Sequence, residues 1–244
     1  MKYPLALSVD SKTVSERALS SLIRVISTVS KEAEPELFTH VQPHAHATTQ
    51  LARYFAAACG CTGGNSGPTL VEIELGAYLH DIGKYFIAPS ILLKPDVLDE
   101  EERAIVSLHS AYGATIISKL PGSTEVIRRA VLHHHEHWDG NGYPSGLAGN
   151  NIPIEGRLLT IADTFDAMTT DRPYQKAMKF EDALARIETF VGTRYDARVV
   201  AAFTEACEEG QIRPGSVKLK RQVVTDPIQS TSPPASSPAE LQPV

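Results

Sequence analysis

The motif "LHDIGK", residues 79–84, places a histidine and an aspartate side by side at the end of an apolar stretch. Ionisable groups are rare in such surroundings unless they have a partner. Imidazole supplies a neutral nitrogen ligand, and a carboxylate has two oxygens that can bridge two metal ions. His80 and Asp81 are therefore candidate metal ligands, although an isolated His-Asp pair is more often a helix cap beside a hydrogen-bonded histidine.

Groups of the same chemistry recur on neighbouring predicted helices, and this recurrence favours the metal interpretation. Asp163 lies in "IADTFDAM", where an unpaired carboxylate among apolar side chains is costly without a nearby cation. Facing helices of a bundle build two-metal sites from such residues. Mixed nitrogen and oxygen ligands suit iron or manganese, and nickel and zinc also accept them. The further candidate ligands are His44, His109, His134 and His135.

Helical spacing of apolar residues dominates the chain, and clear period-two strand patterns are absent. The sequence thus predicts an all-α helical bundle around a buried multinuclear metal site. We expect one helix to begin at Pro43, because proline suits a first helical position, and Asp99 to cap another. The predicted helices span residues 14–30, 43–59, 72–82, 99–120, 123–137, 155–169, 180–191 and 197–208.

The composition limits the classes of function. A net charge of −6 argues against binding a nucleic-acid polymer, which usually needs a basic surface. Three cysteines are too few for a disulfide scaffold and favour a reducing compartment. The sequence has no run of about 18 apolar residues that could span a membrane, and its N-terminus is a poor signal peptide. We therefore expect a cytoplasmic protein.

The chain resembles the HD-GYP family, a branch of the HD phosphohydrolase superfamily, in the segments "LHDIGK", "LLKP", "HHEHWDGNGYP" and "ADTFDAMTTDRPYQKA". The resemblance covers about residues 40–205. It implies an all-α phosphodiesterase that hydrolyses the bacterial second messenger cyclic di-GMP with a cluster of two or three metals. We therefore expect an HD-GYP domain at residues 40–216. The apolar spacing predicts a helical extension before it, at 1–39, and the Pro/Ser-rich composition predicts a disordered tail after it, at 217–244.

The resemblance also implies a role for each matching residue. Asp81 would bridge two metals and help hold an attacking hydroxide, giving pGpG and, after a second round, GMP. Lys84 matches the family lysine that contacts the scissile phosphate or the hydroxide; either Lys84 or a water protonates the leaving oxygen. Arg172 and Lys176 match positions that hold substrate phosphates, on one face if that segment is helical. Tyr143, in the Gly-Tyr-Pro loop, is expected at the substrate entrance or at a protein partner. The implied metal ligands are His44, His80, Asp81, His109, His134, His135 and Asp163.

One position departs from the family pattern. Members with three metals have a glutamate four residues before the first histidine ligand, and this chain has His40 there. Because the predicted helix starts only at Pro43, the direction of the His40 side chain is left open. We therefore expect two metals, with a third metal at His40 as the alternative.

Two other functions stay open at this point. The chain could bind cyclic di-GMP but turn it over poorly, and act as a sensor or adaptor through the Gly-Tyr-Pro loop. It could also be an HD phosphohydrolase of another nucleotide, although the "GYP" and "DRPYQK" segments favour the cyclic dinucleotide.

Overall fold

The computed structural model describes residues 28, 31–32, 34–61, 63, 67–120, 123–171, 176–209 and 212. Within these ranges the regular structure is helical, which confirms the predicted all-α class. The β-structure found there consists of isolated bridges, Asp139 to Ala148 and Val191 to Tyr195. Most of the predicted helix 14–30, and all of the predicted tail 217–244, lie outside the described residues.

The α-helices follow one another with short connections, and two 3₁₀ helices lie at Ile82–Phe86 and Gly149–Asn151. None of the described helices is long and apolar enough to cross a membrane. In chain order they are α1 Pro35–Ala58, α2 Leu70–Leu79, α3 Pro89–Leu92, α4 Glu100–Ser107, α5 His109–Ile117, α6 Glu125–His133, α7 Ile154–Thr169, α8 Phe180–Glu188 and α9 Ala197–Glu208.

Helix α1, which corresponds to the predicted helix 43–59, begins at Pro35, so the predicted start at Pro43 is wrong. Pro35 occupies the first turn of α1, where its missing N–H has no intrahelical acceptor to lose. Pro43 lies inside the helix, where it removes one backbone hydrogen bond while the turns on either side continue. The predicted domain boundary at residue 40 therefore falls within a continuous helix, and His40 and His44 lie on it one turn apart.

Three predicted helices end or divide where the sequence pattern gave no signal. The segment 99–120 is split at Leu108 into α4 and α5, although Asp99 caps α4 as predicted, in a reciprocal capping box with Glu102. Likewise α6 ends at His133 instead of residue 137, so that His134 is its C-terminal cap residue. Similarly α2 ends at Leu79, one residue before His80.

The main hydrophobic core joins α1, α2, α7, α8 and α9. Three buried phenylalanines link these helices: Phe55 packs edge-to-face on Phe203 at 4.7 Å between ring centroids, and Phe165 on Phe203 at 4.9 Å. A smaller core lies between α1, α2, α5 and α6 and includes Leu79 and Val131. The last residues of α2 and α6 are thereby held at fixed positions beside each other.

A glycine lets the segment after α2 pack directly against α5. A Cβ atom at Gly83 would lie 1.9 Å from the His109 carbonyl oxygen and 2.7 Å from the Gly113 nitrogen. Backbone atoms cannot yield as a flexible side chain can, so only glycine fits this contact. The contact places the 3₁₀ helix Ile82–Phe86 against the first turn of α5.

We expect Gly83→Ala to lower the free energy of unfolding by about 1–3 kcal/mol or more, because the added methyl overlaps fixed backbone. Gly60→Ala is the matched control: Gly60 has φ +71°, but a methyl added there would have nothing within 4 Å, so only backbone strain is added. Urea unfolding followed by circular dichroism measures both variants. A Gly83→Ala variant as stable as Gly60→Ala would contradict the close backbone contact.

Candidate metal centre

His80 and Asp81 lie where α2 ends, and the end of the helix lets both side chains point inward. Neighbouring residues of a helix project about 100° apart, so a continuing helix would separate them. His80 is 1% exposed and Asp81 is 2% exposed. The Nδ1 atom of His80 is 2.6 Å from the Ala77 carbonyl oxygen, to which it donates. The Nε2 atom of His80 then carries a lone pair that faces the interior.

Two other histidines repeat this arrangement. Nδ1 of His109 donates to the Val106 carbonyl at 2.7 Å, and Nδ1 of His134 donates to the Val131 carbonyl at 2.7 Å. Their Nε2 atoms face each other at 3.2 Å. With both Nδ1 protons used on the backbone, neither Nε2 atom of the neutral rings can donate to the other. A shared cation would satisfy both lone pairs.

Asp81 lies at the centre of these rings. Its two carboxylate oxygens are each 3.4 Å from a histidine nitrogen: Oδ1 from His109 Nε2 and Oδ2 from His80 Nε2. Lys84 Nζ donates to Oδ2 at 2.6 Å. Burial alone would raise the pKa of Asp81, but the neighbouring charge of Lys84 outweighs it and holds that pKa well below its ordinary value. The carboxylate is thus ionised at neutral pH.

Asp163, from the middle of α7, brings a second carboxylate to the cluster. Its Oδ1 is 2.8 Å from His44 Nε2 and 4.0 Å from His80 Nε2, and its Oδ2 is 4.0 Å from His135 Nδ1. Burial would raise the pKa of Asp163, but the hydrogen bond and the charge of His44 keep it well below its ordinary value. The α7 carboxylate therefore connects His44 on α1 with His80, which follows α2, and with His135, which follows α6.

The donor set fits divalent cations. The buried atoms His80 Nε2 and Asp81 Oδ1 have no hydrogen-bond partner among the described residues, which is costly unless a cation binds there. All seven predicted ligands fall into three overlapping groups whose ligand atoms lie within 4.8 Å of one another. These groups are His44, His80 and Asp163; His80, Asp81 and His134; and His109, His134 and His135.

Burial keeps most of these rings neutral and able to bind a metal. It lowers the pKa of His109, and it lowers the pKa of His135 to about 3. Burial and the neighbouring His135 hold the pKa of His134 well below its ordinary value. For His44, burial also lowers the pKa, but hydrogen bonds to Asp163 and Asp166 outweigh it and raise the pKa to about 9. Metal binding at His44 would therefore displace a proton.

Asp166 belongs to the site, and the sequence analysis missed it. Its carboxylate is 1% exposed and contacts His44 Nδ1 at 2.5 Å, while Asp163 contacts the other nitrogen of the same ring. Asp166 thereby fixes the orientation of His44, as carboxylates beside metal-binding histidines commonly do. The signal was present in "DTFD": Asp166 follows Asp163 by three residues, which puts both on one face of α7.

The residues expected to bind substrate have different positions. Lys84 lies in the cluster through Asp81, and the Tyr143 ring stacks on His135 at 4.7 Å between centroids with a 31° tilt. Lys176 is exposed and is not part of a helix. Arg172 lies outside the described residues. The side chain of His40 is likewise not described, so a third metal there is untested.

Buried Glu136 ties the Gly-Tyr-Pro loop to the histidine segment. Its carboxylate accepts hydrogen bonds from the Ser145 N–H at 2.8 Å and the Leu147 N–H at 3.0 Å. A methyl on Gly142 would lie 2.2 Å from the His137 nitrogen, so the loop closes directly onto the backbone beside the cluster. These contacts hold Tyr143 against His135.

The helical fold and the buried cluster of histidines and aspartates are those of a metal-binding helical domain, and comparison with known sequences identifies its family. A family model described as "HD domain" matches residues 33–199. The chain belongs to the HD domain family, and the family relationship predicted from the sequence is confirmed.

The chain is similar to curated relatives and to a solved structure. It is 34% identical over 197 residues to a cyclic di-GMP phosphodiesterase of Thermotoga maritima, covering 80% of this chain and 51% of that protein. It is 41% identical over 136 residues to a 3'3'-cGAMP-specific phosphodiesterase of Vibrio cholerae, covering 56% of this chain and 29% of that protein. An HDG"Y"P protein from Bdellovibrio bacteriovorus shares the fold, with a TM-score of 0.55 and 20% identity over 69% of this chain and 52% of that one. The chain thus spans about half or less of the length of these relatives.

Asp166→Asn should weaken metal binding about 10- to 100-fold, because the amide cannot supply the charge that orients and polarises His44. Competition between the protein and a chromophoric chelator for Mn(II) measures the affinity. Asp182→Asn removes an exposed carboxylate on α8 and serves as the control. Equal affinities in the two variants would show that Asp166 has no influence on the cluster.

Protein stripped of metal should lose stability as the pH rises from about 6.5 to 9. The pKa of His44 in the fold, about 9, exceeds its ordinary value of 6.5, so protonated His44 stabilises the fold below pH 6.5 and the contribution is lost as the pH rises through 9. The full loss is about 3 kcal/mol. The lowered pKa values of His109, His134 and His135 leave those rings neutral throughout this window.

Urea unfolding in the presence of EDTA over a pH series measures this loss. His44→Gln cannot ionise, so its free energy of unfolding should change much less across the same window. If both proteins show the same slope with pH, another group is responsible.

Glu136→Gln should loosen the Gly-Tyr-Pro loop, because the amide presents an N–H₂ group to one of the two backbone donors. We expect amide hydrogen exchange at Ser145 and Leu147 to accelerate about tenfold, the equivalent of one lost hydrogen bond. Asp139→Asn is the control, since the Asp139 carboxylate binds Asn141 in the exposed part of the loop. Unchanged exchange in Glu136→Gln would mean that other contacts hold the loop.

Proposed function

We propose that the chain is a metal-dependent phosphodiesterase that hydrolyses cyclic di-GMP to pGpG and, in a second round, to GMP. One observation carries the proposal: nitrogen and oxygen ligands from five helical segments converge on buried atoms of His80 and Asp81 that have no hydrogen-bond partner among the described residues. The names of several relatives at 33–34% identity support cyclic di-GMP as the substrate.

The proposed cofactors are two divalent ions, iron or manganese, with nickel and zinc as weaker candidates and a third metal at His40 as the minority alternative. Their ligands would be His44, His80, Asp81, His109, His134, His135 and Asp163. When bound, such ions activate water at neutral pH and neutralise charge on a phosphodiester.

The side chains around the cluster would position the substrate. Lys84, held 2.6 Å from Asp81, would donate a charge-assisted hydrogen bond to a phosphate oxygen beside the cluster. Tyr143, stacked on His135, covers one side of that ligand. Arg172 and Lys176 remain proposed phosphate ligands by family resemblance. A cytoplasmic location and a protein partner at the Gly-Tyr-Pro loop also remain predictions.

A second substrate has a specific observation in its favour. The relative with 41% identity over 136 residues is named for 3'3'-cGAMP, a cyclic dinucleotide with one adenine and one guanine.

Anaerobically reconstituted protein with Fe(II) or Mn(II) should therefore be given cyclic di-GMP and 3'3'-cGAMP separately. Product chromatography and metal analysis of the same sample compare the two rates. Binding of cyclic di-GMP without product would favour a sensor or adaptor, and cleavage of another nucleotide alone would favour a different HD phosphohydrolase.

Two variants test the assignment of residues. Asp81→Ala should lose metal and turnover together, because it removes the central carboxylate of the cluster. Lys84→Met should keep the metal but lower kcat about 100-fold, because one charged donor to the phosphate is lost. Lys119→Met, at an exposed lysine just beyond the end of α5, is the control. Full metal content and rate in Asp81→Ala would refute the assignment.

A further inference from the structure

Two aromatic side chains are exposed side by side next to the cluster, and the proposed chemistry gives them no role. Phe86 is 67% exposed and Tyr112 is 40% exposed. Their ring centroids are 6.5 Å apart with a 54° angle between the planes. The phenylalanines of the main core, by contrast, are almost completely buried. An exposed face of this size on Phe86 contributes no burial to the fold and is open to contact with a ligand.

The position of this pair is fixed relative to the metal ligands. Phe86 follows Lys84 by two residues in the same 3₁₀ helix, so their Cα atoms lie within about 7 Å. Tyr112 follows His109 by three residues on α5, which places the two side chains on neighbouring positions of one helical face. The Gly83 contact with the His109 backbone holds the 3₁₀ helix and α5 together.

Further apolar groups extend the exposed surface along the same side. Ile105 is 40% exposed and Leu108 is 43% exposed. With Tyr112 they follow the i, i+3, i+7 spacing of a single stripe across the junction of α4 and α5. The Tyr143 ring lies 6.4 Å from the His109 ring. His109 therefore has one aromatic residue near it in space, Tyr143, and another three residues along α5, Tyr112.

We infer that Phe86 and Tyr112 form a stacking surface for one purine base of a bound cyclic dinucleotide. The inference rests on the proposed function, because the phosphate of that nucleotide must lie at Lys84 and the cluster. One sugar separates a base from its phosphate. The Cα atoms of Lys84 and Phe86 lie within about 7 Å of each other, so a single nucleotide is long enough to reach from Lys84 to Phe86. Stacking on an aromatic ring needs no hydrogen-bond readout, so this surface accepts guanine and adenine alike.

Steady-state kinetics with cyclic di-GMP test the surface. Phe86→Ala should raise KM about tenfold or more while kcat changes little, because the ring binds the substrate without touching the reacting atoms. Phe86→Leu keeps the apolar volume but loses the aromatic face, and it should show most of the same rise. Phe190→Ala removes another exposed aromatic ring, at the end of α8, and should leave KM unchanged.

A spectroscopic measurement separates stacking from general apolar contact. A cyclic dinucleotide that carries 2-aminopurine loses fluorescence when that base stacks on an aromatic ring. Binding to the wild-type protein should quench the signal, and Phe86→Leu and Phe86→Ala should restore it at saturating protein. Metal content and the unfolding midpoint of each variant confirm that the cluster and the fold are intact.

The outcomes distinguish this inference from the proposed function. If wild-type protein cleaves the substrate and both Phe86 variants keep its KM and quenching, the stacking surface is refuted and the phosphodiesterase proposal stands. If the variants alter only the oligomeric state in light scattering, the patch is a protein interface and the inference is refuted. If wild-type protein neither binds nor cleaves any cyclic dinucleotide, the proposed function itself fails.

Discussion

Asp81 keeps an ionised carboxylate at 2% exposure, and an ion in such a place requires compensating charge. Lys84 supplies one positive charge at 2.6 Å and protonated His44 a second, but Asp163 and the buried Asp166 add two more carboxylates, and most of the surrounding rings are neutral. The site therefore carries a net need for cations. The nitrogen and oxygen ligands around Asp81 can hold the cations that would meet this requirement.

The geometry depends on where two helices stop. Adjacent ligands, His80 with Asp81 and His134 with His135, follow the last turns of α2 and α6. Side chains of consecutive residues diverge on a continuing helix, whereas a chain leaving the helix can direct both to one point. The small core around Leu79 and Val131 holds these two ends together. Packing of apolar residues thus determines the distances between polar ones.

The sequence predicted the ligand types and the helical class because both depend on local patterns. Apolar spacing identifies helices, and a His or Asp within an apolar stretch indicates a compensated site. Helix ends were predicted less well: Pro35 and Pro43 both suit a first helical position, so the local pattern did not choose between them, and no local signal marked the stop at His133. Asp166 was missed for a related reason, since its partner His44 lies 122 residues earlier, on another helix. Exposure of Phe86 likewise became visible only once neighbouring helices were in place.

Overlap among the three ligand groups has a consequence for metal loading. His80 and His134 each belong to two of the three groups. A ring that turns to bind an ion in one group would therefore no longer have its nitrogen available to an ion in the other group. The first ion to arrive would order ligands for the second, while its charge would oppose the second's entry. Occupancies of neighbouring positions are therefore thermodynamically linked, and a titration with metal would deviate from independent binding.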